Sequence, residues 1–194
     1  MAALDRGFKS WAERTSLGLR RELGLSVQAR LDPKALAASL DVTLWTPHDV
    51  PGLRKECRDQ LLVRDPRGWS AVTSVVGESA VVVYNPRHSV GRQNGDITHE
   101  LAHIVLNHDA AKLILSHDGT MVMRSYDRKD EEEADWLSRC LLLPRDGLIW
   151  ARRQRMTPDQ MATHFGVTDI LVTYRLRVTG VDAQLRAAAN QRRA

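Results

Sequence analysis

His99-Glu100-Leu101-Ala102-His103 lies inside residues 96–107, where apolar side chains recur at Ile97, Leu101, Ile104 and Val105. That spacing predicts a helix. Positions four apart share one helical face and sit about 6 Å apart along the axis, so both imidazoles can reach a single ion. Glu100 projects beside them, where a carboxylate can take a proton from a water at that ion. Taken alone, the pattern also fits a solvated helix with two surface histidines. The surrounding chain separates the two readings.

Downstream, Glu131-Glu132-Glu133-Ala134-Asp135 opens a second predicted helix over residues 130–143, apolar at Ala134, Leu137, Leu141 and Leu142 and stopped by Pro144. A catalytic zinc takes three protein ligands and keeps a fourth position for water, so a third ligand is needed. Glu131 and Asp135 share a face, and one can bind metal while the other orients a ligating histidine. Glu132 and Glu133 fall off that face. An acidic first turn also complements the helix dipole, and the two roles are compatible.

Upstream, the Val-rich stretches 69–76 and 79–84, separated by Gly77-Glu78, predict two antiparallel strands joined by a tight turn. Residues 42–45 predict a further strand. Helices are expected over 8–24, over 33–40 with Asp32 as cap and Pro33 at the first position, and over 51–63. Residues 87–95 read as a polar connection. Residues 113–115 and 121–123 read as short strands around a His117-Asp118-Gly119 turn. Beyond Pro144 every segment is helical: 145–155, 158–165, 169–178 and 181–191. The expected fold class is α+β, mainly helical, with a small antiparallel sheet.

With 194 residues, 43% hydrophobic, the chain suits one ordinary domain or one domain plus a small appendage. Mixed charge and ordinary apolar content exclude disorder as the main state. No stretch approaches the ~18 apolar residues of a membrane span. Residues 1–9 lack a basic region followed by an apolar one, and two cysteines make no disulfide framework, so a reducing cytoplasm is expected.

The net charge of +4 is unevenly divided. Residues 145–194 hold nine Arg and four Asp, a net of +5, which leaves residues 1–144 at −1. The expected organisation is a metal-bearing domain over 1–144 and a basic helical segment over 145–194. In that segment Ala162, Gly166 and Val172 occupy the small, turn and apolar positions of a helix-turn-helix, with Thr168 capping its second helix. Thr173, Tyr174, Arg175 and Arg177 fall on the would-be recognition helix. Weak DNA contact is electrostatically permitted. Such helix pairs are also common packing units, and the weight of the sequence lies against sequence-specific DNA binding.

His99-Glu-Leu-Ala-His103, followed about thirty residues later by Glu131-Glu-Glu-Ala-Asp-Trp-Leu-Ser-Arg-Cys-Leu-Leu-Leu-Pro144, resembles the ImmA/IrrE metallopeptidase family. The likeness includes Val81-Val-Val-Tyr-Asn-Pro86 and covers roughly residues 36–178 in element order. It implies a zincin-like core and a cytoplasmic zinc endopeptidase that cleaves a transcriptional repressor, relieving repression of a stress or mobile-element response. Carried over by residue, it makes His99 and His103 zinc ligands, Glu131 the third ligand and Glu100 the general base. Departures from the family pattern are Ala102 in place of Gly, Asn94-Gly-Asp-Ile-Thr98 in place of an Arg-Phe-Thr segment, and Leu143 in place of Met.

Hydrolysis also needs a donor for the tetrahedral oxyanion, and spacing selects none among His117, Tyr126, Tyr84 and His108. Residues 80–84 are a candidate sheet edge for binding substrate by strand addition. Two His and one Glu would also hold manganese or cobalt. Two other readings fit the sequence: a DNA-binding regulator with a structural or sensory metal, and an interaction partner whose site has lost activity.

Overall fold

Gly91, in a stretch that reads as polar connection, lies in the first turn of the central helix of the computed structural model. A Cβ there would meet the Val167 carbonyl carbon at 2.8 Å. Only a glycine lets the two backbones approach so closely. The structure describes residues 4–76, 79–108, 114–115, 121–122 and 127–191. Element order is α1 Phe8–Glu22, α2 Pro33–Ser39, β1 Val42–Trp45, α3 Lys55–Asp59, β2 Ala71–Val76, β3 Ser79–Tyr84, α4 Val90–Val105, β4 Ile114–Leu115, β5 Met121–Val122, α5 Arg128–Leu142, α6 Arg145–Arg153, α7 Pro158–Phe165, α8 Asp169–Thr179 and α9 Val181–Gln191. The fold is α+β and mainly helical, as expected.

Three details differ from expectation. The sheet is mixed rather than antiparallel, in the order β1-β3-β2, with β1 parallel and β2 antiparallel to β3. Because β3 is central, its backbone groups are spent on both sides, and strand addition at residues 80–84 is excluded. Among the described residues the edge strands are β1 and β2. Secondly, α4 starts at Val90, six residues early, because Gly91 serves close packing against Val167 rather than a loop; Asn94 Nδ2 donates to Gly166 O at 2.7 Å. Thirdly, the helix expected over 51–63 is α3 followed by a π-helical turn, Gln60–Arg64. There Asp65 N–H is spent on Gln60 O and Pro66 has no N–H, so the Trp69 indole satisfies Leu61 O at 2.9 Å. Of the short strands, 114–115 and 121–122 pair antiparallel; Leu113, Met123 and the intervening turn at 117–119 lie outside the described residues.

Alternation on the strands sorts the sheet into two faces. Val42 and Val82 point into the main core with Ile97, Leu101 and Ala102 of α4 and Ala134, Leu137 and Leu141 of α5. Val72, Val81 and Val83 form a smaller cluster beneath Trp45, Val50 and Trp69. The main core continues without a break through Leu148, Phe165, Val172 and Val181. Residues 145–191 thus pack on the same core as residues 8–144, and the 144/145 division marks a change of charge, not a gap in packing.

Two buried arginines tie the end of α5 in place. Arg20 Nη1 donates to Leu141 O at 2.7 Å and its Nη2 to Ser26 O and Ala29 O. Arg175 donates to Leu143 O at 3.0 Å and pairs with Glu13 at 2.5 Å. Arg175 has its counter-charge in Glu13, whereas Arg20 is held by carbonyl oxygens alone and its buried Nε makes no hydrogen bond among the described residues. Replacing Arg175 with Met should cost about 3 kcal/mol, because it orphans Leu143 O and strips Glu13 of its counter-charge. Urea unfolding at unchanged m-value measures the cost, and a loss under about 1 kcal/mol would contradict this role.

Candidate metal centre

Helix α4 buries Ile97, Leu101 and Ala102 and turns its polar stripe toward α5. On α5, Asp127 caps the N-terminus by accepting from Lys129 N–H at 2.7 Å, and Ala134 and Leu137 face the core. The two stripes meet. His99 Nε2 lies 3.2 Å from Glu131 Oε2 and 3.1 Å from His103 Nε2, and His103 Nε2 lies 3.5 Å from Glu131 Oε1. These three residues present ligand atoms within 4.8 Å of one another and could hold a metal ion. Two neutral-capable imidazoles and a carboxylate are a donor set that suits zinc.

The other His99 nitrogen is held as well: Nδ1 lies 3.2 Å from Asp135 Oδ1. Asp135 Oδ2 is bound by Arg139 at 2.6 Å, and Arg139 stacks 4.5 Å over the Tyr174 ring of α8. Glu131 and Asp135 therefore divide as their spacing requires, one toward the ligand side of His99 and one behind it. Glu132 points elsewhere, 3.8 Å from Arg128.

Glu100 is half-buried and its Oε2 accepts from Thr73 Oγ1 at 2.6 Å. Burial raises its pKa, against the pull of the Thr73 hydrogen bond. Thr73 was not among the expected site residues. Its signal in the sequence was a polar side chain on the inward face of a Val-rich strand, at the register position opposite Val82.

A second group stands behind His103. His103 Nδ1 and His108 Nδ1 are 3.0 Å apart, and His108 Nε2 lies 3.3 Å from Glu133 Oε2 and 3.7 Å from Asp130 Oδ1. With both ring nitrogens engaged, His108 is not available as an oxyanion donor. Glu133, off the metal-facing side as its position implies, meets His108 instead. Tyr84 packs against the main core. The other two oxyanion candidates, His117 and Tyr126, lie outside the described residues.

The IrrE N-terminal-like domain model of Peptidase_M78 matches residues 61–177. The chain belongs to this family. The match bears out the likeness to ImmA/IrrE metallopeptidases, and it spans β2 through most of α8, crossing the 144/145 charge boundary. No curated protein matches the chain. The M78 assignment supports a peptidase, with His99, His103 and Glu131 as residues that could hold its metal.

The electrostatics of this M78 centre follow from its carboxylates. Burial opposes a charge on His99, but hydrogen bonds to Asp135 and Glu131, together with nearby Glu100, outweigh it and raise the pKa to about 10. His103 moves the other way, to about 4, through burial and the charge on His99. The His99 imidazolium therefore stabilises the metal-free fold fully below about 6.5, its ordinary value, and that contribution fades as pH rises toward 10. A cation must displace that proton, so its affinity should rise with pH, approaching tenfold per unit between pH 6 and 8. Competition against a chelator at several pH values measures this, and a pH-independent affinity would contradict it.

Proposed function

We propose that the protein is a zinc-dependent endopeptidase that hydrolyses a peptide bond in a protein substrate, a transcriptional repressor, and so relieves repression of a stress or mobile-element response. The observation that carries the hydrolytic reading is the convergence of His99, His103 and Glu131 beside a carboxylate, Glu100, that is free of the ligand set. When bound, zinc would supply Lewis acidity and lower the pKa of a water at the site.

The chain's own groups do the rest. Glu100 has one oxygen held by Thr73, which fixes its orientation and leaves the other oxygen to accept the water proton. Its raised pKa suits a group that takes a proton and hands it on to the leaving amine. Substrate would lie along β2, the edge strand that carries Thr73, the residue that holds Glu100.

The repressor as substrate rests on charge. Arg153, Arg155, Arg177 and Arg186 are exposed on or beside the C-terminal helices and suit an acidic segment of a regulator. DNA contact is the weaker reading of the same surface. Of the four residues expected on a recognition helix, Arg175 is fully buried on Glu13 and Tyr174 is half-buried beneath Arg139, which leaves Thr173 and Arg177 exposed. A regulator with a purely structural metal would have no use for a half-buried carboxylate held beside the ligands. Among the described residues, no helix is long and apolar enough to cross a membrane. The cytoplasm suits Cys57 and Cys140, which are not joined in a disulfide.

Glu100→Gln keeps the size of the side chain and its bond to Thr73. It should bind zinc like the wild type and cleave a transcriptional-regulator substrate ~10²- to 10⁴-fold more slowly. Gel electrophoresis with mass spectrometry of the products reads both rate and bond. A zinc-loaded variant that cleaves at the wild-type rate would rule out Glu100 as the base.

A further inference from the structure

His108 stands over His103 because of how α4 ends. Asn107 takes the left-handed conformation at φ 54°, Asn107 N–H donates to Ile104 O at 3.0 Å, and His108 N–H donates to His103 O at 3.0 Å. This is the Schellman arrangement, with asparagine as one of the residues that tolerates the turn. It folds the chain back so that the His108 ring meets the His103 ring edge-on, 5.1 Å between centroids.

We infer that His108 is a positioning residue: backed by Glu133, it accepts the Nδ1 proton of His103 and so keeps the His103 Nε2 lone pair aimed at the cation. This rests on the reading of His99, His103 and Glu131 as the metal ligands. The argument is a count of protons. His108 Nε2 faces two carboxylates, Glu133 at 3.3 Å and Asp130 at 3.7 Å, which only accept, so Nε2 carries the hydrogen. With its one ring hydrogen placed on Nε2 in this arrangement, His108 presents Nδ1 as an acceptor. The 3.0 Å contact needs one donor, which is His103 Nδ1–H. His103 Nε2 is left bare, on the side where it lies 3.1 Å from His99 Nε2 and 3.5 Å from Glu131. The arrangement extends the familiar carboxylate–histidine–metal pattern by one ring.

The same count weighs against a second cation. His108, Asp130 and Glu133 also present ligand atoms within 4.8 Å of one another. A cation on His108 Nε2 would move the hydrogen to His108 Nδ1, where it would point at His103 Nδ1. That would put a hydrogen on His103 Nε2 and remove it as a ligand. While the ring contact holds, the two sets cannot both be filled.

The test is Zn²⁺ affinity by chelator competition, stoichiometry by titration, and the visible spectrum of the Co²⁺ form, in wild type, His108→Leu, Glu133→Leu and Glu133→Gln. His108→Leu and Glu133→Leu should each weaken binding 10- to 100-fold and alter the Co²⁺ spectrum, with one equivalent still bound and the melting temperature of the metal-free protein little changed. A variant carrying both His108→Leu and Glu133→Leu should be no weaker than His108→Leu alone, because both residues act through one chain of bonds. Glu133→Gln keeps an acceptor oxygen and should recover most of the affinity; if the leucine variants fail to fold, His108→Phe, which keeps a ring but removes the acceptor, is read instead, with the same 10- to 100-fold loss expected and wild-type affinity overturning the inference. Wild-type affinity in His108→Leu or Glu133→Leu would overturn the inference and leave the metal reading standing. Two equivalents in wild type, one of them lost in His108→Leu, would overturn it in favour of a second cation site. A wild type that binds no cation would overturn both.

Discussion

Both nitrogens of one imidazole are gripped by carboxylates from a neighbouring helix. His99 on α4 meets Glu131 at one nitrogen and Asp135 at the other, each at 3.2 Å. This contact sets the relative rotation and register of α4 and α5, because Glu131 and Asp135 lie one helical turn apart and can straddle the ring in only one alignment. Apolar packing drives the two helices together through Leu101, Ala102, Ala134 and Leu137, yet such packing tolerates small slips. The histidine does not.

The grip reaches outward from there. Behind Asp135, Arg139 rests on Tyr174, so the outer support of the candidate metal centre is a residue of α8. Buried Arg175 of the same helix holds the α5 terminus through Leu143 O. At its other end, α4 meets the turn between α7 and α8, where Gly91 admits the Val167 backbone and Asn94 binds Gly166 O. The helix-turn-helix-like segment is thereby a supporting wall of the centre. That explains why two of the residues expected on its outer face are turned inward, and why the family match runs across the charge boundary.

Legibility in the sequence followed the range of the interaction. Local signals were sufficient for several helix ends: Asp32 with Pro33, Pro144 and the Thr168 cap mark ends that the structure reproduces. The i, i+4 spacing was sufficient to split Glu131 from Asp135. What spacing could not show was anything set by a distant partner. Gly91 and Gly95 resemble loop residues until Val167 is placed against the first of them. The parallel pairing of β1 with β3 has no local mark, and Arg175 looks like a surface charge until Glu13 is brought to it across 162 positions. Thr73 and the His108–Glu133 pair belong to the same class, since each has meaning only once α4 is set against β2 and α5.

The central claim is that His99, His103 and Glu131 together hold one divalent cation beside Glu100. Anomalous diffraction at the zinc edge from crystals of the zinc-loaded protein tests it most directly. The account predicts a single peak about 2.0–2.2 Å from His99 Nε2, His103 Nε2 and a Glu131 oxygen, with Glu100 outside the ligand set. No peak at that position, or a peak on His108 and Glu133 with His99 still bound to both carboxylates, would contradict it.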